Sequence, residues 1–195
     1  MRKALAVTGA LAVLAPLAWA PAAEARDTRC RPKGSETVAA STRVRIYYVT
    51  RGGTDRTVAC VLRTGRRTVL GEVYARESFG LSIVRFDGWF VAFGFQGCTG
   101  PFCGAGVGSV DVRSGSTMRR CCWLDPPTDL VLKSNGSIAW IVRDPFATSA
   151  RVQKLDAAGY QELDSGPIDP TSLALSRSSQ VYWTNAGVAR SAPLE

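Results

Sequence analysis

The side chains of this chain that could carry out chemistry are carboxylates and cysteines, because the chain contains no histidine. Without imidazole there is no Ser-His-Asp or Cys-His relay, no imidazole metal ligand and no histidine general base. Lysine is scarce too, since only Lys33, Lys133 and Lys154 follow the first 25 residues. The remaining routes to catalysis are a carboxylate pair of the kind that glycosidases use, a Tyr or Lys base, or a cysteine without its usual partner.

Five aspartates are the candidates for such a pair: Asp125, Asp129, Asp144, Asp164 and Asp169. Each of them also stands beside a proline, a glycine or the end of a predicted strand, where aspartate commonly caps a turn. We favour turn capping for each one taken singly, and we name no catalytic residue. The two hypotheses are separated by whether any two of these carboxylates converge in one pocket.

Six cysteines are the other chemical resource: Cys30, Cys60, Cys98, Cys103, Cys121 and Cys122. An even number of cysteines behind an export signal predicts three disulfides. A four-thiolate metal site made by the last four is the alternative, but Cys-x4-Cys followed by an adjacent pair is not a zinc-ribbon spacing. We expect neither a metal nor a cofactor.

The pairing of the cysteines follows from the strand register. The segment 98–103 contains a Gly-Pro turn, so Cys98 and Cys103 can approach each other closely enough to bond. Exchange of Cys98 with Cys121 or Cys122 stays open, because adjacent cysteines in a strand point to opposite faces. Cys30 and Cys60 then pair by elimination, which we expect to be the bridge that matters most for stability.

An internal repeat predicts the elements that position these residues. Residues 130–140 align without a gap on residues 173–183, at an offset of 43. Looser copies lie at residues 83–93 and 44–48, and a second element around Gly65, Gly115 and Gly159 keeps step with the first. Each copy reads as two hairpins, and repeats of this length are typical of stacked four-stranded β-units.

The last copy resembles the repeat of YWTD and TolB-like β-propellers. Residues 168–175 read Ile-Asp-Pro-Thr-Ser-Leu-Ala-Leu, and residues 181–185 read Val-Tyr-Trp-Thr-Asn, with Asn185 where that repeat carries aspartate. The resemblance implies a β-propeller fold and a binding function, and it implies no catalytic residues. The likeness covers roughly residues 43–194 and is sharp only over the C-terminal copies.

These observations predict an all-β protein, built as a small propeller-like array of about four antiparallel four-stranded blades. A two-sheet β-sandwich is the alternative. A closed ring would require residues 186–190 to pair with strands from the N-terminal segment. If the ring does not close, we expect the exposed strand edge to drive dimerisation.

The N-terminal 25 residues are predicted to be a signal peptide. Arg2 and Lys3 precede an uncharged apolar run over residues 4–20, and Ala23 and Ala25 suit a signal peptidase. An uncleaved anchor is the rival interpretation. We expect a secreted protein whose residues 26–195 form a single domain without a membrane span.

Charge is unevenly distributed along the chain. Residues 26–120 contain 16 basic and 7 acidic side chains, against 6 and 8 in residues 121–195. A basic half could attract nucleic acid, an anionic cell-wall polymer or a lipid surface, but we favour a solvated basic face. Nucleic acid is a poor fit, because the basic clusters lack interleaved stacking aromatics.

The sequence therefore predicts a secreted, non-enzymatic binding or scaffold module and does not identify its ligand. An extracellular protein and an anionic cell-wall polymer are the candidate partners. A small carbohydrate-active hydrolase or lyase using carboxylates is the alternative. Blade geometry places the segments 94–108, 119–127, 144–150 and 164–170 on one face as long loops, where binding residues tend to gather. The candidate binding residues on that face are Phe95, Gln96, Phe102, Trp123 and Asp144.

Overall fold

The computed structural model describes residues 28–74, 78–99, 102–123, 126–143 and 148–195. Within these residues the chain forms fifteen β-strands in four antiparallel sheets, preceded by a short 3-10 helix at Thr28–Cys30. The all-β prediction is confirmed. The predicted signal peptide lies outside the described residues.

Each sheet is a meander whose strands follow chain order. Sheet 1 contains β1 (Glu36–Ala40), β2 (Val44–Arg51), β3 (Thr54–Val61) and β4 (Arg67–Tyr74). Sheet 2 contains β5 (Ser78–Asp87), β6 (Phe90–Thr99), β7 (Phe102–Asp111) and β8 (Thr117–Trp123). Sheet 3 contains β9 (Asp129–Leu132), β10 (Ile138–Arg143), β11 (Ala150–Asp156) and β12 (Gly159–Gly166), and sheet 4 contains β13 (Ala174–Leu175), β14 (Gln180–Asn185) and β15 (Val188–Pro193).

The three longer aligned segments occupy the same place in sheets 2, 3 and 4. Residues 83–93, 130–140 and 173–183 span the turn between the first and second strands, and the glycine-centred second element spans the turn between the third and fourth. The aromatics that align in the repeat, Phe93, Trp140 and Trp183, are all buried on second strands. Two hairpins per repeat are present in sheets 1 to 3, whereas sheet 4 has three strands.

The core lies between successive sheets. One apolar cluster joins sheets 1 and 2, a second joins sheets 2 and 3, and a third joins sheets 3 and 4. Side chains alternate between the two faces of a strand. Val91 and Phe93 therefore contact sheet 1 while Ala92 between them contacts sheet 3. Sheets 2 and 3 are thus covered on both faces, which is not the arrangement of a two-sheet sandwich.

The segment 94–108 is a hairpin, so its prediction as a loop is wrong. The ten-residue strands β6 and β7 pair from Phe90↔Asp111 to Thr99↔Phe102. Glycines in this segment suggested flexibility, but tertiary packing requires them: a Cβ on Gly108 would lie 2.7 Å from the Phe93 ring. Segments 119–127 and 164–170 also lie partly in strands, since β8 extends to Trp123 and β12 to Gly166.

Sheet 4 does not close the array into a ring. The predicted partner segment, residues 186–190, forms a tight turn and the start of β15, and β15 pairs only with β14. Ala186 and Gly187 at this turn have φ angles of 50° and 77°, as a two-residue hairpin turn requires. The edge of β15 is consequently unpaired among the described strands.

Two disulfides are present, Cys30–Cys60 and Cys98–Cys103, with Cα–Cα distances of 5.6 and 4.0 Å. These are the pairings that the register predicted. Cys30 and Cys60 are fully buried against the outer face of sheet 1. The side chains of Cys121 and Cys122 lie outside those described, so the third bridge stays a prediction. No helix within the described ranges has the length and apolar character to cross a membrane.

Candidate functional site

The predicted binding residues do not form a loop face. Phe95 and Gln96 lie within β6, Phe102 begins β7 and Trp123 ends β8, while Asp144 lies outside the described residues. Phe95 stacks on Phe79 with ring centroids 5.6 Å apart and packs against the core between sheets 1 and 2. Its role is therefore structural. Gln96 is exposed, and nothing is described of the Phe102 and Trp123 side chains.

Asp129 connects three elements. Its Oδ1 accepts from its neighbour Leu130 N at 2.9 Å and lies 3.6 Å from Arg85 Nη2, while Oδ2 accepts from Leu173 N at 3.1 Å. The carboxylate therefore joins the first strands of sheets 2 and 3 to the segment that leads into β13.

Asp164 connects sheets 3 and 4. Its Oδ2 accepts from Trp183 Nε1 at 2.7 Å and from Asn185 Nδ2 at 2.9 Å. Desolvation opposes the charged form, but the hydrogen bonds from Trp183 and Asn185 outweigh it and lower the pKa of Asp164. The Asp164 carboxylate therefore stays charged, and its Oδ2 accepts two hydrogen bonds from sheet 4.

Asp169 caps a turn, as the turn-capping hypothesis predicts. Hydrogen bonds from the backbone N–H and then the hydroxyl of Thr171 lower the pKa of Asp169. The three described candidates thus bind different partners, and no described groove is lined by two of them. Asp125 and Asp144 lie outside the described residues. Asp129, Asp164 and Asp169 therefore do not converge as the catalytic hypothesis requires.

An open groove of about 390 Å³ lies along the first strands of sheets 2, 3 and 4. Its volume falls within the range of small-ligand sites. The floor is apolar and is made by Leu130, Val131, Leu132, Leu175 and Phe86. Its polar lining consists of Arg85, Asp87, Ser176 and Arg177. The floor is rigid, because β9 pairs with β10 and contacts both β5 and β13.

Two guanidinium groups give this groove its charge. Arg85 has a half-exposed side chain and Arg177 is exposed, whereas Asp87 is the one carboxylate in the described lining. Arg85 is held from one side by Asp129, so its orientation is fixed while much of its surface faces solvent. The Ser176 hydroxyl lies 2.9 Å from that of Ser178 and accepts from Gln180 N at 3.0 Å.

This arrangement can bind a ligand but offers little for covalent chemistry. Guanidinium groups donate hydrogen bonds and do not release protons at neutral pH. Among the described residues there is no group of three or more His, Cys, Asp or Glu side chains placed to hold a metal ion. The chemistry of the groove is thus recognition of an acceptor-rich or negatively charged ligand above an apolar floor.

This groove was not predicted, because binding residues were expected in the long loops and not near the short turns between first and second strands. Arg85 and Arg177 lie near the ends of the first hairpins of sheets 2 and 4. The aligned segments gave no signal for this groove, since Arg177 aligns with Ser134 in the segment 130–140.

Comparison with known proteins adds no functional information. No known protein family matches the chain, and no curated protein does. Among solved structures, the chain is similar to the uncharacterized protein lmo1340 of Listeria monocytogenes, with 12% sequence identity and a TM-score of 0.45. The match covers 83% of this chain and 54% of that one, so the chain spans about half the length of this neighbour.

Proposed function

We propose that this protein is a secreted, non-enzymatic binding module whose ligand site is the groove along β5, β9 and β13. In this proposal the four sheets are successive blades of an open, propeller-like array resembling YWTD and TolB-like repeats. The observation that carries the proposal is the pair of exposed arginines above a rigid apolar floor. The separate structural roles of Asp129, Asp164 and Asp169 argue against a carboxylate enzyme.

The ligand we propose is an anionic cell-wall polymer, with an extracellular protein as the alternative partner. An open groove accommodates a chain that continues beyond it at both ends, which a closed pocket does not. Arg85 and Arg177 supply charge-assisted donors for carboxylate or phosphate groups along such a chain. Export through residues 1–25 and the two disulfides are compatible with this location.

Co-sedimentation with isolated cell walls tests the proposal. The wild-type protein is expected to sediment with the walls at low ionic strength, and an Arg85→Gln/Arg177→Gln variant is expected to lose most of this binding. An Arg113→Gln/Arg143→Gln variant removes the same net charge from exposed positions outside the groove, and it should bind like the wild type. If both variants lost cell-wall binding equally, net charge alone would explain the binding, and this would contradict the proposed site.

A further inference from the structure

The outer face of sheet 1, which points away from sheet 2, carries apolar and basic side chains in ordered rows. The strand register places Tyr47 beside Val58, and Val58 beside Val69. The neighbouring row on one side contains Val49, Arg56 and Glu72. An apolar row is therefore bordered by charge on the surface of a rigid sheet.

A recess of about 130 Å³ opens on this face, large enough for one apolar side chain. Its floor is apolar, since Tyr47, Val49 and Val58 are each no more than 5% exposed. Val69 forms part of the wall and is 44% exposed. The exposed valine indicates that the apolar surface continues from the recess to the edge of the sheet.

Three arginines line the recess: Arg51, Arg56 and Arg67. Arg56 pairs with Glu72 at 2.8 Å through Nη2, but its buried Nε has no hydrogen-bond acceptor within the described part of the chain. Arg67 donates through Nη2 to Arg29 O at 2.8 Å, which fixes its position without neutralising its charge. The described residues give Arg51 no ion-pair partner.

The surroundings of the recess are strongly positive. Residues 28–74, which contain sheet 1 and the segment before it, carry 10 basic and 3 acidic side chains. By contrast, residues 167–195, which contain sheet 4, carry 2 of each. The charge is thus concentrated at the end of the array that contains the recess.

We infer that this face binds an acidic peptide segment of a partner protein, one that places an apolar side chain in the recess and carboxylates on the arginines around it. Carboxylates of such a peptide would pair with Arg51 and with the solvent-facing part of Arg56, whose side chain is 42% exposed. The depth of the recess selects the apolar residue, and the arginines select its acidic neighbours. This site is separate from the groove along the first strands.

Two other occupants fit the face less well. A second copy of this chain would have to offer acidic surface, and the free end at sheet 4 is neutral. Nucleic acid is bound by aromatic rings on which bases can stack. The aromatic ring of the recess belongs to Tyr47, which is 2% exposed and has the Arg45 guanidinium 5.8 Å from its centre.

Fluorescence anisotropy with a labelled Glu-Glu-Leu-Glu-Glu peptide tests the inference. The wild-type protein is expected to bind this peptide, with an affinity that falls as salt is added. An Arg51→Gln/Arg56→Gln variant is expected to bind about a hundredfold more weakly, because removing each guanidinium weakens binding roughly tenfold. Val69→Asp, an exposed substitution compatible with folding, is expected to weaken binding as well.

Three controls make the result decisive. An Arg63→Gln/Arg66→Gln variant removes two charges from the β3–β4 turn outside the recess, and a Gln-Gln-Leu-Gln-Gln peptide removes the ligand's charge. We expect the Arg63→Gln/Arg66→Gln variant to bind the acidic peptide like the wild type. We expect the Gln-Gln-Leu-Gln-Gln peptide not to bind the wild-type protein. Equal weakening of peptide binding by the turn variant would overturn the inference. It would also be overturned if polyphosphate displaced the peptide from the wild-type protein and bound the Val69→Asp variant as tightly as the wild type. An Arg85→Gln/Arg177→Gln variant should bind the acidic peptide normally, which keeps this test independent of the groove.

Discussion

At the scale of single residues, Asp164 shows how a surface carboxylate joins two sheets. It lies on β12 and accepts hydrogen bonds from Trp183 and Asn185, both on β14. Asn185 donates to Asp164 through Nδ2. An aspartate at 185 would place two negative charges in contact, so the two positions depend on each other.

Replacing Asp164 by asparagine is expected to lower the free energy of unfolding by about 1 kcal/mol at pH 7, because the charge-assisted part of these hydrogen bonds is lost. The folded-state pKa of Asp164 lies below its unfolded value. Its stabilisation is therefore complete above about pH 4 and is lost as the pH falls through the folded pKa. Urea unfolding of both proteins at several pH values should show the difference shrinking below about pH 4. A constant difference down to about pH 2 would contradict this role.

At the scale of elements, the two disulfides fix different parts of the fold. Cys30–Cys60 ties the segment before β1 to β3 across 30 residues, whereas Cys98–Cys103 closes the tip of the β6–β7 hairpin across 5. In the chain-entropy model a longer closed loop gives the larger stabilisation. The first bridge is also fully buried and the second is not.

Removing the Cys30–Cys60 bridge by a double alanine substitution is expected to cost about 3 to 4 kcal/mol. The matched Cys98→Ala/Cys103→Ala variant should cost about 2 kcal/mol, since its loop is short. Thermal or denaturant unfolding under oxidising conditions measures both. An equal or reversed order would show that the N-terminal bridge does not hold sheet 1 as we describe.

The segment after β15 is held by side chains of sheet 3. Leu194 is 1% exposed, its N–H donates to Ser179 O at 2.9 Å, and its carbonyl accepts from Lys133 Nζ at 2.7 Å. Glu195 N donates at 3.1 Å to Asp156, which forms a buried ion pair with Lys154. This short segment therefore fastens sheet 4 to sheet 3.

Leu194→Ala is expected to destabilise the protein by about 2 to 5 kcal/mol, the usual cost of emptying a buried leucine site. Val188→Ala on β15 provides the matched control, because Val188 is 53% exposed and should cost well under about 1 kcal/mol. Both are measured by denaturant unfolding. A Leu194→Ala variant as stable as the control would mean that the segment does not fasten the sheets.

The elements that sequence predicted well are those whose signal is local. Hairpins around Gly136 and Gly159 follow from a turn glycine between apolar runs, and both have positive φ angles there. The β6–β7 hairpin was missed because part of its stabilisation comes from another strand, where Phe79 of β5 stacks on Phe95. Glycine content alone does not distinguish such a strand from a loop.

At the scale of the whole molecule, the described array ends in β15, which is paired on one side only. β15 is exposed along most of its length, and Tyr182 beside it on β14 is 43% exposed. A free edge of this kind tends to pair with another chain. With this edge unpaired, the observed fold differs from the predicted closed ring. Closure of a ring depends on the angles between successive sheets, and a pattern in the sequence does not give those angles.

The purified protein is accordingly expected to dimerise through β15. Light scattering during size-exclusion chromatography should give twice the monomer mass for the wild type. An Ala189→Lys/Ser191→Lys variant, with charges on exposed edge positions, should give the monomer mass at the same concentration. A wild-type protein that remains monomeric at high micromolar concentration would refute pairing through this edge.

Hydrogen–deuterium exchange in the presence of solubilised cell-wall fragments tests the proposed binding groove most directly. Binding is expected to slow exchange in β5, β9 and the turn between β13 and β14, which together contain Arg85, Leu130 and Arg177. Exchange in the β6–β7 hairpin should stay unchanged, because that hairpin lies outside the groove lining. Protection confined to the hairpin, or no protection despite saturating ligand, would contradict the account.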